Sequence, residues 1–156
     1  MEFDLDIAHP LYKEFPLDMV ERVTNKYRCE IDEEFPCFAD QYKHLSMCIP
    51  HPEKTTVLDF GCYLATQCAY FKGFKAYIGI DCEDLVRFST PNVTHYCKSI
   101  KRFLEEDAHK YVNEQNFAIC NYSVHDFALL QEIQQLFPNC FFYYPRLDQK
   151  VNIFPF

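Results

Sequence analysis

The sequence predicts an α/β fold: a doubly wound, mostly parallel sheet of five to six strands flanked by helices, with N-terminal helices preceding the first strand. From Thr55 onwards, short apolar segments alternate with amphipathic ones, and this alternation favours a parallel sheet with helices on both faces. The apolar segments are nearly continuous, which is typical of strands buried on both sides. A chain of 156 residues with 49% hydrophobic residues fits one domain with a substantial core.

Two helices are expected ahead of the sheet. Residues 17–29 place apolar side chains at helical spacing. Residues 37–48, "CFADQYKHLSMC", form the second helix, which Pro50 and Pro52 end. We therefore predict a single domain over 1–156, made of the following parts: an N-terminal helical cap at 1–54, a Rossmann-like core at 55–145 and a C-terminal tail at 146–156.

The core elements then follow in alternation. Strands are predicted at 55–60, 75–81, 92–97, 116–122 and 140–144. Helices are predicted at 65–74, 100–115 and 125–137. Ser123 and Asp126 resemble a capping box at the start of the last helix, with Asp in place of the usual Glu or Gln.

Charge and hydropathy exclude several classes of protein. The formal net charge of −8 argues against a nucleic-acid-binding surface, which requires clustered Lys and Arg. No segment approaches the roughly 20 apolar residues that a membrane span requires. The N-terminus "MEFDLDIAHP" lacks the basic and apolar regions of a signal peptide. We expect a cytoplasmic protein that binds neither nucleic acid nor membrane.

The nine cysteines and six histidines are dispersed along the chain. The cysteine count is odd and no pair has C-x-x-C spacing, whereas disulfide frameworks and zinc sites show tight, paired spacing. Most of the cysteines lie inside apolar segments. We expect small buried thiols and no metal site.

The residues that follow the strands are the first place to look for a ligand site. In open parallel sheets, ligands bind outside the carboxyl ends of the strands, where the strand order reverses. Gly61 suits a sharp turn after the first strand, and Asp81 lies 20 residues later at the tip of the second. A carboxylate there can accept hydrogen bonds from both hydroxyls of a ribose. Asp59 can orient the turn or meet the ammonium group of a ligand.

These residues resemble the first motifs of the Rossmann-like (class I) S-adenosylmethionine-dependent methyltransferases. In "DFGCYLA", Asp59 fills the acidic place and Gly61 that of the first glycine, and Asp81 in "YIGIDC" matches the acid that holds the cofactor ribose. "FAICNYSVHDF" is similar to the fourth-strand motif beside the methyl group, and "CKSIKRFL" to the segment beside the adenine. The resemblance spans about residues 37 to 145. It implies a transferase whose S-adenosyl-L-methionine contacts the following residues: Asp59, Gly61, Asp81, Ser99 and Ile100.

The catalytic residue is unknown from the sequence, and the candidates are Asn121, Tyr122 and His125. Asn121 and Tyr122 would line a substrate pocket. His125 has a side chain whose reference pKa of about 6.5 suits a general base. Methyl transfer can also proceed by proximity and alignment, because the sulfonium supplies the leaving group.

Two features depart from this family. Tyr63 and Ala65 replace the second and third glycines of the motif. Alanine is a mild change, but the ring of Tyr63 must swing away or fill the space where the ligand approaches the backbone. The family sheet usually has seven strands closed by an antiparallel hairpin, whereas residues 146–156 allow one further strand at most.

Three functions remain open. The first is a methyltransferase acting on a small molecule or a protein. The second is a non-catalytic relative that binds a partner or forms one half of a homo-oligomer, as the Tyr63 replacement and the short C-terminus suggest. The third is a nicotinamide-type dinucleotide binder, which is least favoured because it requires glycine at positions 61, 63 and 66, where this sequence has Gly61, Tyr63 and Thr66.

Overall fold

A computed structural model describes residues 38–84, 88–121, 123–124, 126–143 and 151–154. These residues contain three α-helices: α1 (Phe38–Cys48), α2 (Ile100–Glu106) and α3 (Phe127–Leu136). The strands are β1 (Thr56–Phe60), β2 (Ala76–Asp81), β3 (Val93–Cys97), β4 (Phe117–Asn121), β5 (Asn139–Tyr143) and β6 (Val151–Phe154). Short 3-10 helices span Pro52–Lys54, Thr66–Phe71 and Ala108–Lys110. The helix predicted at 17–29 lies outside the described residues.

The strands form one sheet in the order β3-β2-β1-β4-β5-β6. The first five strands along this order are parallel, and β6 pairs antiparallel with β5. After β3 the chain returns to the other side of β1, so the order reverses between β1 and β4. This confirms the predicted α/β fold with a mostly parallel sheet and a helix before the first strand. The division of the chain into cap, core and tail stays a prediction.

Helices cover both faces of the sheet. Alternate residues of β1 point to opposite faces: Val57 belongs to an apolar cluster with Tyr42 of α1, and Leu58 to a second cluster with Phe103 of α2. The face that packs against α1 and the 3-10 helix Thr66–Phe71 is called the α1 face below. The opposite face packs against α2 and α3.

The helix predicted at 65–74 is instead a six-residue 3-10 helix, Thr66–Phe71. Just before it, Tyr63 and Ala65 adopt left-handed backbone conformations with φ of 55° and 62°. Ala65 therefore cannot be the first residue of a right-handed helix, which explains why the helix begins at Thr66.

Two further helix predictions need correction. The helix predicted at 100–115 stops at Glu106, where the carboxylate of Asp107 binds both Lys98 and Lys110 and a 3-10 turn follows. The last helix begins at Phe127, and its N-cap is Asp126, whose carboxylate accepts from Ala128 N–H at 2.9 Å. The predicted capping role of Ser123 is wrong, because its hydroxyl donates to the carbonyl oxygen of Phe60 instead.

Candidate functional site at the carboxyl edge of the sheet

The turn after β1 folds back onto the end of β2. The amides of Gly61 and Cys62 both donate to the carbonyl oxygen of Ile80, at 2.7 and 3.1 Å. The amide of Tyr63 donates to Asp81 Oδ2 at 2.9 Å. The sequence predicts Gly61 and Asp81 on one rim of the sheet, and the structure brings the turn and the acid together there.

This pattern of amide bonds disfavours a dinucleotide. A pyrophosphate is held by backbone N–H groups that point out of the turn toward the ligand. Here the N–H groups of Gly61, Cys62 and Tyr63 all donate to the end of β2. S-adenosylmethionine carries no phosphate, so the same turn does not conflict with that cofactor.

Gly61 is required by contacts within the chain. Its φ is +79°, a conformation that side chains rarely adopt. A Cβ atom at this position would overlap Ser123 Cβ and lie 3.1 Å from Ser123 Oγ. The Ser123 hydroxyl donates to the carbonyl oxygen of Phe60. Ser123, which follows β4, thus occupies the space that the missing side chain leaves open, and direct contact between Gly61 and a cofactor stays a prediction.

Asp81 keeps acceptor capacity for a ligand. Its carboxylate is half-buried and accepts one hydrogen bond on each oxygen, from Glu83 N–H at 3.0 Å and from Tyr63 N–H at 2.9 Å. A carboxylate offers roughly four lone-pair positions. About two therefore remain for further hydrogen-bond donors.

Asp59 is fully buried and serves as a hydrogen-bonding hub on the α1 face. Its Oδ1 accepts from the Tyr42 hydroxyl at 3.0 Å, and its Oδ2 accepts from Gln67 Nε2 at 2.7 Å and from the Tyr77 hydroxyl. These three donors belong to α1, to the 3-10 helix after β1 and to β2. The carboxylate therefore ties together the elements around the turn, and its contact with a ligand ammonium stays a prediction.

The hub also sets the protonation of its neighbours. Burial, and then the negative charge of Asp59, raise the pKa of Cys68 to about 12. Burial and the same charge also raise the pKa of the Tyr77 hydroxyl well above its usual range. Both groups keep their protons at neutral pH, so Tyr77 remains a donor to Asp59.

Ser99 and Ile100 lie beyond β3, at the edge that faces Asp81. Cys97 is opposite Asp81 in the sheet register, so the two residues that follow it are near the second strand end. Ser99 is the N-cap of α2, and its Oγ accepts from Arg102 N–H at 3.1 Å. Ile100 is half-buried and packs on the second core cluster. Both have structural roles, and their contact with an adenine stays a prediction.

The N-cap of α2, Ser99, is expected to stabilise the fold. Replacing Ser99 with alanine should lower the free energy of unfolding by about 1 kcal/mol, because the Arg102 amide loses its acceptor. Ser99→Asp retains a capping oxygen and should unfold within a few tenths of a kcal/mol of the wild type. Urea denaturation of the two variants measures both values. Equal losses in the two variants would contradict the capping role.

Asn121 ends β4 and is buried, with 3% of its surface exposed. Neither its side-chain nitrogen nor its oxygen has a hydrogen-bond partner among the described residues. The other two catalytic candidates, Tyr122 and His125, lie outside the described residues. The half-buried side chain of Tyr63 packs against the core cluster of the α1 face, which shows where its ring is directed.

Gln41 of α1 is a candidate site residue that was not predicted from the sequence. This residue is 7% exposed, and its side-chain amide and carbonyl also lack partners within the described ranges. Gln41 lies four residues before the buried Leu45, on the same stripe of the helix. That spacing was the signal available in the sequence.

A cavity of about 410 Å³ lies at the opposite, amino edge of the sheet. It is lined by residues at the starts of strands, such as Phe117 and Asn139, and by Ile49 after α1. It is thus separate from the edge where parallel sheets hold their ligands.

Among the described residues, no three His, Cys, Asp or Glu side chains group to hold a metal ion. Within the described residues no disulfide joins any of the following cysteines: Cys48, Cys62, Cys68, Cys82, Cys97, Cys120 and Cys140. None of the helices in the described ranges has the length and apolar character needed to cross a membrane. Comparisons of the chain with protein-family models, with curated proteins and with solved structures found no match.

Proposed function

We propose that this protein is an S-adenosylmethionine-dependent methyltransferase that binds its cofactor at the carboxyl edge of β1, β2 and β4. The observation that carries the proposal is the hydrogen bond from Tyr63 N–H to Asp81, which sets the acid directly beside the turn after β1. This is the position from which an acid at the end of the second strand reaches a ribose. The antiparallel strand β6 beside β5 adds support, because the family that the sequence resembles closes its sheet with antiparallel strands.

The residues present fit such a cofactor. Asp81 would accept the ribose hydroxyls with its remaining lone pairs, and Ser99 and Ile100 would lie along the adenine. Asn121, an unpartnered buried amide at the end of the neighbouring strand β4, would face the reacting end. Asp59 would support the cofactor site indirectly, because its hydrogen bonds with Gln67 and Tyr77 hold the turn after β1 in place. When bound, the cofactor supplies a methyl group on a sulfonium leaving group.

The chain would contribute mainly orientation. Methyl transfer gains much of its rate from holding donor and acceptor in line at short distance, and this requires rigid walls around the site. The turn after β1 is fixed to β2 through Asp81 and Ile80, and to the β4 side through Ser123. The acceptor is a small molecule or a protein, and the site of action is the cytoplasm.

Two observations favour a second candidate, a non-catalytic binding or oligomerisation module. Ser123 fills the space at Gly61, and the carboxylate of Asp59 accepts three internal hydrogen bonds. In that case the chain uses the motif residues for its own stability. This candidate predicts no binding of S-adenosylmethionine.

Calorimetric titration with S-adenosylmethionine and its demethylated product separates the two candidates. A charge-assisted hydrogen bond contributes roughly 1.5–3 kcal/mol, so Asp81→Asn should weaken binding by about ten-fold or more. Glu83→Gln is the matched control, because it removes the same charge from an exposed neighbour two residues away and should leave affinity nearly unchanged.

Folding of both variants is checked first by circular dichroism. Absence of binding by the wild type at millimolar concentrations of either ligand would eliminate the methyltransferase. Equal weakening by the two variants would show that Asp81 acts through its charge alone and makes no ribose contact.

A further inference from the structure

Two buried carboxamides have no hydrogen-bond partner within the described parts of the chain. Gln41 and Asn121 are 7% and 3% exposed, and all four of their polar side-chain atoms are unpaired there. Buried polar groups in native proteins are nearly always paired, because the free energy of desolvation is otherwise not recovered. Two such residues at one location would therefore indicate a ligand.

The side chain of Asn121 points to the α1 face. Successive strand residues alternate between faces, and Phe117 and Ile119 of β4 belong to the apolar cluster of the α1 face. Asn121 continues that alternation. Gln41 of α1 lies one turn before Leu45, which belongs to the same apolar cluster, so the two side chains share the helix stripe that faces the sheet.

The two carboxamides also lie at a similar level along the sheet. Ile49, just after α1, and Phe117 of β4 meet at the cavity on the amino edge. From Ile49 back to Gln41 a helix rises about 12 Å at 1.5 Å per residue. From Phe117 to Asn121 a strand rises about 13 Å at roughly 3.3 Å per residue. Gln41 and Asn121 therefore both lie near the carboxyl edge of the sheet, on the α1 face.

We propose that Gln41 and Asn121 together bind a small ligand through a neutral amide-type group, an N–H beside a C=O. Each carboxamide offers a donor and an acceptor without charge, which matches such a group. The carboxylate of Asp59 on the same face would repel an anion, and a cation would lose its hydration beside a carboxylate that already accepts hydrogen bonds from Tyr42, Gln67 and Tyr77. We identify this ligand as the methyl acceptor, an identification that rests on the proposed function.

Stability measurements distinguish ligand binding from a structural role. If the carboxamides are unpaired in the free protein, apolar replacements of similar shape remove a cost and no bond. The melting temperatures of Gln41→Met and Asn121→Leu should therefore equal that of the wild type within about 3 °C or exceed it. A fall of about 5 °C or more in both variants would show internal pairing and overturn the proposal.

Three probes with the same ring test the ligand class without any cofactor: nicotinamide, nicotinate and 3-(aminomethyl)pyridine. Nicotinamide should bind at least about ten-fold more tightly than either charged probe, and should shift the side-chain amide resonances of Gln41 and Asn121. Both variants should lower its affinity by about ten-fold or more. Gln115→Met, at the amino-edge cavity, is the matched control and should leave that affinity unchanged.

Equal affinity for the three probes, or shifts confined to Gln115, would overturn the proposal. Because the probes are titrated in the absence of S-adenosylmethionine, these results are independent of whether the cofactor binds. A protein that binds nicotinamide through Gln41 and Asn121 but shows no affinity for the cofactor would retain this inference as a binding site and lose the methyltransferase. The reverse result would retain the proposed function alone.

Discussion

Replacing Asp59 with alanine is expected to lower the free energy of unfolding by about 3–5 kcal/mol. The change leaves three buried donors without their acceptor, on Tyr42, Gln67 and Tyr77, and each unsatisfied buried group costs about 1–3 kcal/mol. Three such losses sum to about 3–9 kcal/mol, and we expect the lower part of that range, because Gln67 Nε2 keeps its hydrogen bond to the carbonyl oxygen of Cys62 and neighbouring groups can rearrange into the space that the carboxylate leaves. Urea denaturation followed by circular dichroism measures the change.

Two variants serve as comparisons for Asp59→Ala. Tyr42→Phe removes one donor from the carboxylate and should cost about 1.5–3 kcal/mol. Asp126→Ala removes an exposed acid that caps α3 and should cost about 1 kcal/mol. If Asp59→Ala costs no more than Asp126→Ala, the buried hub does not stabilise the fold as described.

Gly61→Ala should destabilise the protein by about 2–5 kcal/mol. The left-handed conformation costs a residue with a side chain roughly 1–2 kcal/mol, and overpacking against Ser123 adds about 1–3 kcal/mol. Gly73→Ala is the control, because a Cβ atom there meets no atom of the described residues within 4 Å. Chemical denaturation of the two variants should therefore give clearly different midpoints.

Combining Gly61→Ala with Ser123→Gly separates the two causes. Ser123→Gly removes the overlapping side chain. The double variant should therefore regain the free energy of unfolding lost to overpacking, but not the free energy lost to the left-handed conformation at position 61. The coupling free energy in this double-mutant cycle should be about 1–3 kcal/mol. Additive losses would show that Ser123 does not occupy the space beside Gly61.

The sheet was predictable because its strands are local apolar segments between clear breaks. The strand predicted at 55–60 is β1, which spans Thr56–Phe60. Pro50 and Pro52 correctly indicated that α1 ends before them, and it ends at Cys48. The turn after β1 was less predictable. Tyr63 and Ala65 adopt φ values that favour glycine, and bonds to the end of β2 hold the turn in place. A local sequence pattern does not predict hydrogen bonds between a turn and a distant strand.

Long-range contacts also explain what was missed at the candidate site. Ser123 followed by Asp126 resembled a cap, but the Ser123 hydroxyl bonds Phe60, 63 residues away in sequence. The role of Asp59 as a hub depends on Tyr42 and Tyr77, which lie 17 and 18 residues from it. The pairing of Asp81 with the turn was predictable because both follow neighbouring parallel strands.

We expect a nucleoside to bind at the carboxyl edge of the sheet, beside Asp81. Two-dimensional ¹H–¹⁵N spectra recorded during titration with the demethylated cofactor test it most directly, because the amides of Tyr63 and Glu83 both donate to that carboxylate. We expect these two resonances to shift in saturable fashion, together with the side-chain amide of Asn121. No shifts at millimolar ligand, or shifts limited to the amino-edge cavity around His51 and Asn139, would contradict the claim.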